Sequence, residues 1–228
     1  MFSVKTFDFL IENKMMNSKE WFHAHRADYE EYVLKPLTQL SIQMGETISQ
    51  IDSRIVTEPK INKTISRIYR DTRFSKDKSL FRESMWLSFK RDKKEYAQYP
   101  EFYVVITPDS FFYGCGYYYM QPATMKAARE LILNNDKVFK KALNSFKKQN
   151  IFALDGDMFK RSKYPNEKEE IRMWLDRKVL CLSRYETDAN LIFSDDLGYV
   201  LAEQMKEIAP FYDFLIKAEQ IARGTLNA

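Results

Sequence analysis

Apolar residues recur at three- and four-residue steps over roughly the first fifty positions, alternate over much of the next seventy, and then return to helical spacing. Ser3 stands ahead of Val4, Phe7, Leu10 and Ile11, the pattern of a capped amphipathic helix that the polar residues near Asn13 should end. Asn17 followed by Glu20 marks a second start, after which Trp21, His25, Tyr29 and Tyr32 or Val33 share one face. Pro36 must kink that helix or open a new one as its first-turn residue. Beyond it Leu37, Leu40, Met44, Ile48 and Ile51 form the clearest apolar stripe of the chain.

After Glu58-Pro59 four β-type runs follow, at about 64–71, 84–91, 101–107 and 111–119. Met85, Leu87 and Phe89 alternate with Trp86, Ser88 and Lys90, as a strand with unlike faces requires. Phe102–Ile106 and Phe111–Tyr113 flank Thr107-Pro108-Asp109-Ser110, a connection too short for a crossover helix and suited to a tight turn, so these two runs form a hairpin. Gly114 and Gly116 point to a bulge or to close approach by another backbone. Helical spacing resumes at Pro122, and a second helical piece around Phe139 and Phe146 carries five lysines. Asp155-Gly156-Asp157 reads as a turn, a charged helix reaches Trp174, and a short strand runs from Val179 to Ser183. Two apolar helical patterns, around Leu201 and Phe214, close the chain. This order defines an α+β domain over residues 1–228: N-terminal helices at about 3–52, a central antiparallel sheet at about 60–120, and a mainly helical part at 121–228, so that helices from both termini flank the sheet.

Composition supports a buried core, since 45% of residues are hydrophobic and 15% aromatic. No run approaches the roughly 18 apolar residues of a membrane span, and Met1-Phe2-Ser3-Val4-Lys5 has no basic segment leading an apolar one, so a cytoplasmic protein with no membrane partner is expected. Cys115 and Cys181 are too few for a disulfide framework and lack zinc-site spacing. The net charge of +4 is unevenly placed: Arg54 to Lys94 holds thirteen Lys and Arg against five Asp and Glu, or +8, which leaves −4 for the rest. A localised positive field of this kind attracts phosphates or carboxylates.

The field is densest over Arg67–Arg82, where Arg67, Arg70, Arg73, Lys76, Lys78 and Arg82 face only Asp71 and Asp77, with Tyr69, Phe74 and Phe81 between them. Guanidinium forks suit the oxygens of phosphate or carboxylate and ammonium groups add charge, so these six cations and Ser75 are the candidate ligand-binding set. Strand alternation sends Arg67 and Arg73 opposite Arg70, so three or four of them form a realistic site. Ser75-Lys76-Asp77-Lys78 has the Ser-x-x-Lys spacing of penicillin-binding enzymes, but the companion Ser-Asp-Asn and Lys-Thr-Gly motifs are missing, and Ser75 suits a turn or cap. His23 and His25, two residues apart on a helix, cannot chelate together, while Asp71, Asp77 and His25 are the candidates for moving protons. Gly114-Cys115-Gly116 lacks the third glycine of a dinucleotide fingerprint, and Cys115 has no base beside it. No cofactor or metal is expected. Tyr113, Tyr117, Tyr118 and Tyr119 would stack on bases if the sheet face were open.

Asn17 to Tyr29, Arg67 to Lys78, the Gly-Cys-Gly hairpin and Gly156-Asp157 with Lys160-Arg161 together resemble the bacterial and fungal family known as domain of unknown function 2461, over nearly the whole chain. The family pattern continues from Lys78 with Ser-Pro-Tyr-Lys, where this chain has Ser79-Leu80-Phe81-Arg82. The resemblance implies an α+β fold and no established activity. From the residues, the leading expectation is a module that binds an anionic partner such as a nucleotide or nucleic acid through Arg67–Arg82. The alternatives are an enzyme acting on an anionic small molecule, and a structural or protein-interaction module whose basic segment is an ion-pair network.

Overall fold

The computed structural model describes residues 1–92 and 98–226; Lys93 and Lys94, counted in the basic segment, lie outside the described residues. In chain order the elements are α1 (Val4–Met16), α2 (Lys19–Ala24), α3 (Arg26–Tyr29), a π-helical turn (Glu30–Leu34), α4 (Lys35–Ile51), β1 (Met85–Phe89), β2 (Glu101–Ile106) and β3 (Phe111–Gly116). There follow α5 (Pro122–Leu133), α6 (Lys137–Lys148), β4 (Ala153–Asp155), α7 (Glu169–Leu175), β5 (Cys181–Glu186), α8 (Ala189–Ile192), α9 (Leu197–Glu207) and α10 (Ala209–Ala222). The strands form one open antiparallel sheet in the order β1-β2-β3-β5-β4, so the chain has the expected α+β class. No described helix is long and apolar enough to cross a membrane.

Several local expectations hold for their stated reasons. Ser3 precedes α1 with its N–H donating to Thr6 Oγ1 at 3.1 Å, and α1 runs past Asn13 to end at Asn17, whose positive φ of 43° turns the chain. The cap of α2 is Ser18, one residue beyond the expected Asn17, with its Oγ accepting from the Trp21 amide at 3.2 Å. Pro36 lies in the first turn of α4, and the Tyr32 carbonyl four residues before it accepts from Thr6 Oγ1 at 2.7 Å in place of the missing amide. The stripe on α4 is buried at Leu37, Leu40, Met44 and Ile48. Between β2 and β3, Thr107 N–H donates to the Ser110 carbonyl at 2.9 Å and closes the hairpin turn.

The chain forms two compact units. The first comprises Met1–Phe89, Tyr103–Tyr113 and Tyr185–Glu203, and its core joins the α4 stripe to Phe9, Leu10, Leu87, Val104 and Leu201. The second comprises Lys90–Phe102, Gly114–Arg184 and Gln204–Ala228, where α10 packs on α5 and α6 around Phe139, Trp174, Phe211 and Phe214. In this second unit Gly116, at φ 149°, meets the predicted close backbone approach: a Cβ there would lie 2.5 Å from the Leu180 carbonyl oxygen and 2.6 Å from Cys181 Cα. Two sheet expectations are corrected. Strand β5 runs over Cys181–Glu186, displaced from the expected 179–183, and the three-residue β4 pairs with it, Leu154 opposite Leu182. Residues 64–71 form no continuous strand, for a reason that bears on the site.

Candidate functional site

Residues 64–88 fold back on themselves as an irregular two-stranded arm. Ser88 N–H donates to the Thr64 carbonyl (2.8 Å), Ser66 N–H to Trp86 (2.9 Å), Arg82 N–H to Ile68 (2.8 Å) and Arg70 N–H to Leu80 (2.9 Å). Two amides that would complete the ladder go elsewhere. Trp86 N–H is taken by Ser66 Oγ at 2.9 Å, and Leu80 N–H by the side-chain oxygen of Asn17 at 2.8 Å. Side-chain acceptors thus compete with backbone carbonyls and leave isolated bridges, among them Tyr69 opposite Phe81. A proline at position 80 would have no N–H for Asn17, so this contact needs a residue other than proline there. Ile68 and Phe81 anchor the arm in the core, and Phe22 of α2 packs on Tyr69 and Phe81 at ring-centroid distances of 5.4 and 5.0 Å.

The cations on this arm divide into two groups. Arg73 makes a two-point pair with Asp71 (Nε to Oδ1 2.9 Å, Nη2 to Oδ2 2.7 Å), and Arg70 pairs with Asp77, which also accepts from Ser79 N–H (2.9 Å) and Oγ–H (2.5 Å). Both carboxyls are held well below the usual range, Asp71 chiefly by the Arg73 hydrogen bond and Asp77 by Ser79 and then Arg70. Lys78 donates to the Thr72 carbonyl at 2.9 Å, and Arg70 reaches Ser75 Oγ at 3.4 Å. These contacts shape the loop, and as exposed pairs they add little stability.

Arg82 belongs to the second group. Its guanidinium makes no hydrogen bond or ion pair with a described residue, its Nε–H is enclosed without a partner, and it lies over the Trp86 ring at 4.7 Å. Partial burial first, then the neighbouring charges of Arg67 and Arg70, push its pKa below the ordinary value. Arg67 reaches Asp71 only at 3.8 Å. Arg67 and Arg70 thus lie within electrostatic reach of Arg82, and the two carboxylates beside the three arginines, Asp71 and Asp77, leave positive charge unmatched. At the loop end Lys76 makes no polar contact with a described residue, and Phe74 is 95% exposed with the Arg73 guanidinium 5.7 Å from its ring.

The proton-moving candidates are placed differently. Asp71 and Asp77 are engaged by arginines as described, so they act as ionised acceptors. His25 stacks on Trp21 at 4.2 Å with its Nδ1 2.8 Å from the Trp21 carbonyl, a bond in which Nδ1 must carry the proton, and it sits at the junction of α2 and α3. Burial pushes the Cys115 thiol well above its ordinary pKa and the Cys181 thiol up to about 12, which makes both poor nucleophiles. Tyr113 and Tyr117 are buried, the latter donating to Glu219 at 3.1 Å, while Tyr118 and Tyr119 are exposed after β3. Asp155 Oδ1 accepts from Gly156 N–H at 2.6 Å within its turn, and among the described residues no three His, Cys, Asp or Glu side chains gather as a metal site. Two residues of the site are not among the candidates named from the sequence. Trp86 was legible as the outward member of the β1 alternation, whereas Asn17, sixty-three positions from Leu80, gave no signal of its role.

Fold and site together define an α+β protein that carries a folded cationic arm with a cluster of three arginines at its base. The chain belongs to the family described as conserved hypothetical protein, DUF2461, whose profile matches residues 5–214 and so includes the whole arm. No curated protein matches the chain.

Proposed function

We propose that the protein binds a phosphate- or carboxylate-bearing ligand, a nucleotide or nucleic acid in the first place, at the Arg67, Arg70 and Arg82 cluster. The observation that carries this reading is Arg82: a guanidinium with an enclosed, unpartnered Nε–H, held beside two like charges and braced on Trp86. An enclosed donor left unmade costs about 1–3 kcal/mol, a cost that an incoming oxyanion removes while it also relieves the repulsion. Lys76, Lys78 and Ser75 extend the same surface toward the loop end. Two unpaired thiols suit the reducing cytoplasm, where such ligands occur. An enzymatic role for Asp71, Asp77 or His25 has less support, because each already has a bonded partner that fixes it in place.

Thermal melting with inorganic tripolyphosphate tests the proposal. At a hundredfold excess over its Kd the ligand should add about 2.7 kcal/mol, a rise of roughly 5–10 °C. The double variant Arg67→Gln with Arg82→Met should lose that rise. A parent protein that melts at the same temperature with tripolyphosphate, a nucleoside triphosphate or neither would overturn the reading.

A further inference from the structure

The face of the sheet turned away from the buried positions of β1 and β2 carries a row of aromatic rings. Met85, Leu87 and Phe89 of β1 are fully buried, so Trp86 points to the opposite side, and Val104 and Ile106 likewise place Tyr103 of β2 there. Phe112 of β3 joins them, with its ring 6.3 Å from Tyr103 in an edge-on contact and 5.1 Å from Tyr185 of β5 in a stacked one. These strands are neighbours in the order β1-β2-β3-β5, so each of four adjacent strands contributes one ring to one face. At about 4.8 Å per strand the row is roughly 15 Å long. Trp86, Tyr103 and Phe112 are half-buried, and Tyr185 is 59% exposed. Arg82 ties the row to the arm, because the guanidinium at the arginine cluster is the one that lies over Trp86.

The geometry points to single-stranded nucleic acid as the ligand, with unpaired bases stacked along Trp86, Tyr103, Phe112 and Tyr185 and the strand's phosphates drawn to Arg67, Arg70 and Arg82. This inference rests on the anion-binding reading of the arm and names its ligand. A row of rings accepts any base because every base has a π-face, and it excludes a duplex, whose bases face inward. A sheet face with exposed aromatics holds two or three bases, which fits the length of this row. The charge is also in the right place. Cations at one end of an aromatic row match a flexible polyanion carrying flat apolar groups, whereas a folded acidic protein would need cations spread among the rings.

Fluorescence anisotropy with labelled single-stranded DNA and RNA oligonucleotides, a duplex of equal length, and tripolyphosphate as competitor tests this on the full chain. The parent should bind the single strands at least tenfold more tightly than the duplex. Tyr185→Ala should weaken single-strand binding roughly tenfold, and Phe112→Leu, which keeps apolar volume if alanine unfolds the sheet, should do the same. Both should leave the affinity for tripolyphosphate unchanged, whereas Arg67→Gln with Arg82→Met should weaken both ligands. Equal affinity for duplex and single strand, or aromatic variants that bind like the parent, would overturn the stacking inference while leaving the arm's anion site standing. Failure to bind oligonucleotide and tripolyphosphate alike would overturn both, and binding only to an acidic polypeptide would overturn the nucleic-acid assignment.

Discussion

Replacing Arg82 with methionine separates a ligand-binding cation from a structural one. The substitution keeps the backbone amide that donates to Ile68 and keeps an unbranched stem against Trp86. It removes a cation–π contact worth about 0.5–2 kcal/mol, which the thioether replaces in part. Against this, it removes an enclosed Nε–H without a partner, worth about 1–3 kcal/mol, and the repulsion from Arg67 and Arg70. The two sides nearly cancel, so the ligand-free protein should keep its stability within about 1 kcal/mol, or its melting temperature within about 4 °C for a chain of this length. A structural ion-pair partner would behave otherwise: its removal strands a buried charge and costs about 3–5 kcal/mol, which lowers melting by roughly 6–20 °C. Melting followed by circular dichroism in phosphate-free buffer decides between them. A drop beyond about 8 °C in Arg82→Met would refute the reasoning and return the arm to scaffold duty.

Other outcomes follow from the same structure. Asp71 and Asp77 have depressed folded-state values, so their contribution is present above the ordinary carboxylate pKa and lost as pH falls through the lower folded values; hydrogen exchange in the arm should quicken only below about pH 4. Tyr29 is pushed up to about 12, mainly by burial, so stability should be complete below pH 10 and decline as pH rises toward 12, with Tyr29 ionising late in an ultraviolet titration. Gly116→Ala should destabilise the second unit by more than about 3 kcal/mol or prevent its folding, because the added Cβ meets backbone atoms that cannot move aside. An alanine protein with parent melting behaviour would contradict that packing.

Where burial imposes a period, the chain could be read directly. The α4 stripe, the β1 alternation and the turn at Thr107–Ser110 each follow from neighbours in sequence, and each appears where local spacing places it. The arm was legible as a concentration of charge but not as a shape. Its irregularity comes from Ser66 Oγ and Asn17 Oδ1, side chains that capture amides of residues twenty and sixty-three positions away, and no periodicity records such a pairing. The same limit explains the arginines. Alternation set Arg67 and Arg70 apart, yet both lie within electrostatic reach of Arg82. Strand β4 has three residues, too few for any alternation to show. Of the four tyrosines around Gly114 and Gly116, Tyr113 and Tyr117 are buried while Tyr118 and Tyr119 are exposed, a division that a run of like residues does not reveal.

The central claim is that unmatched positive charge on the arm holds phosphates, and the salt dependence of oligonucleotide binding measures that charge directly. Three or four phosphate contacts to a single strand give a slope of log K against log salt of about −2 to −3. The parent should show that slope, and Arg67→Gln with Arg82→Met should flatten it by about 1.4, or 0.7 for each lost cation. A slope near zero in the parent, or a double variant whose slope and affinity match the parent's, would contradict the claim.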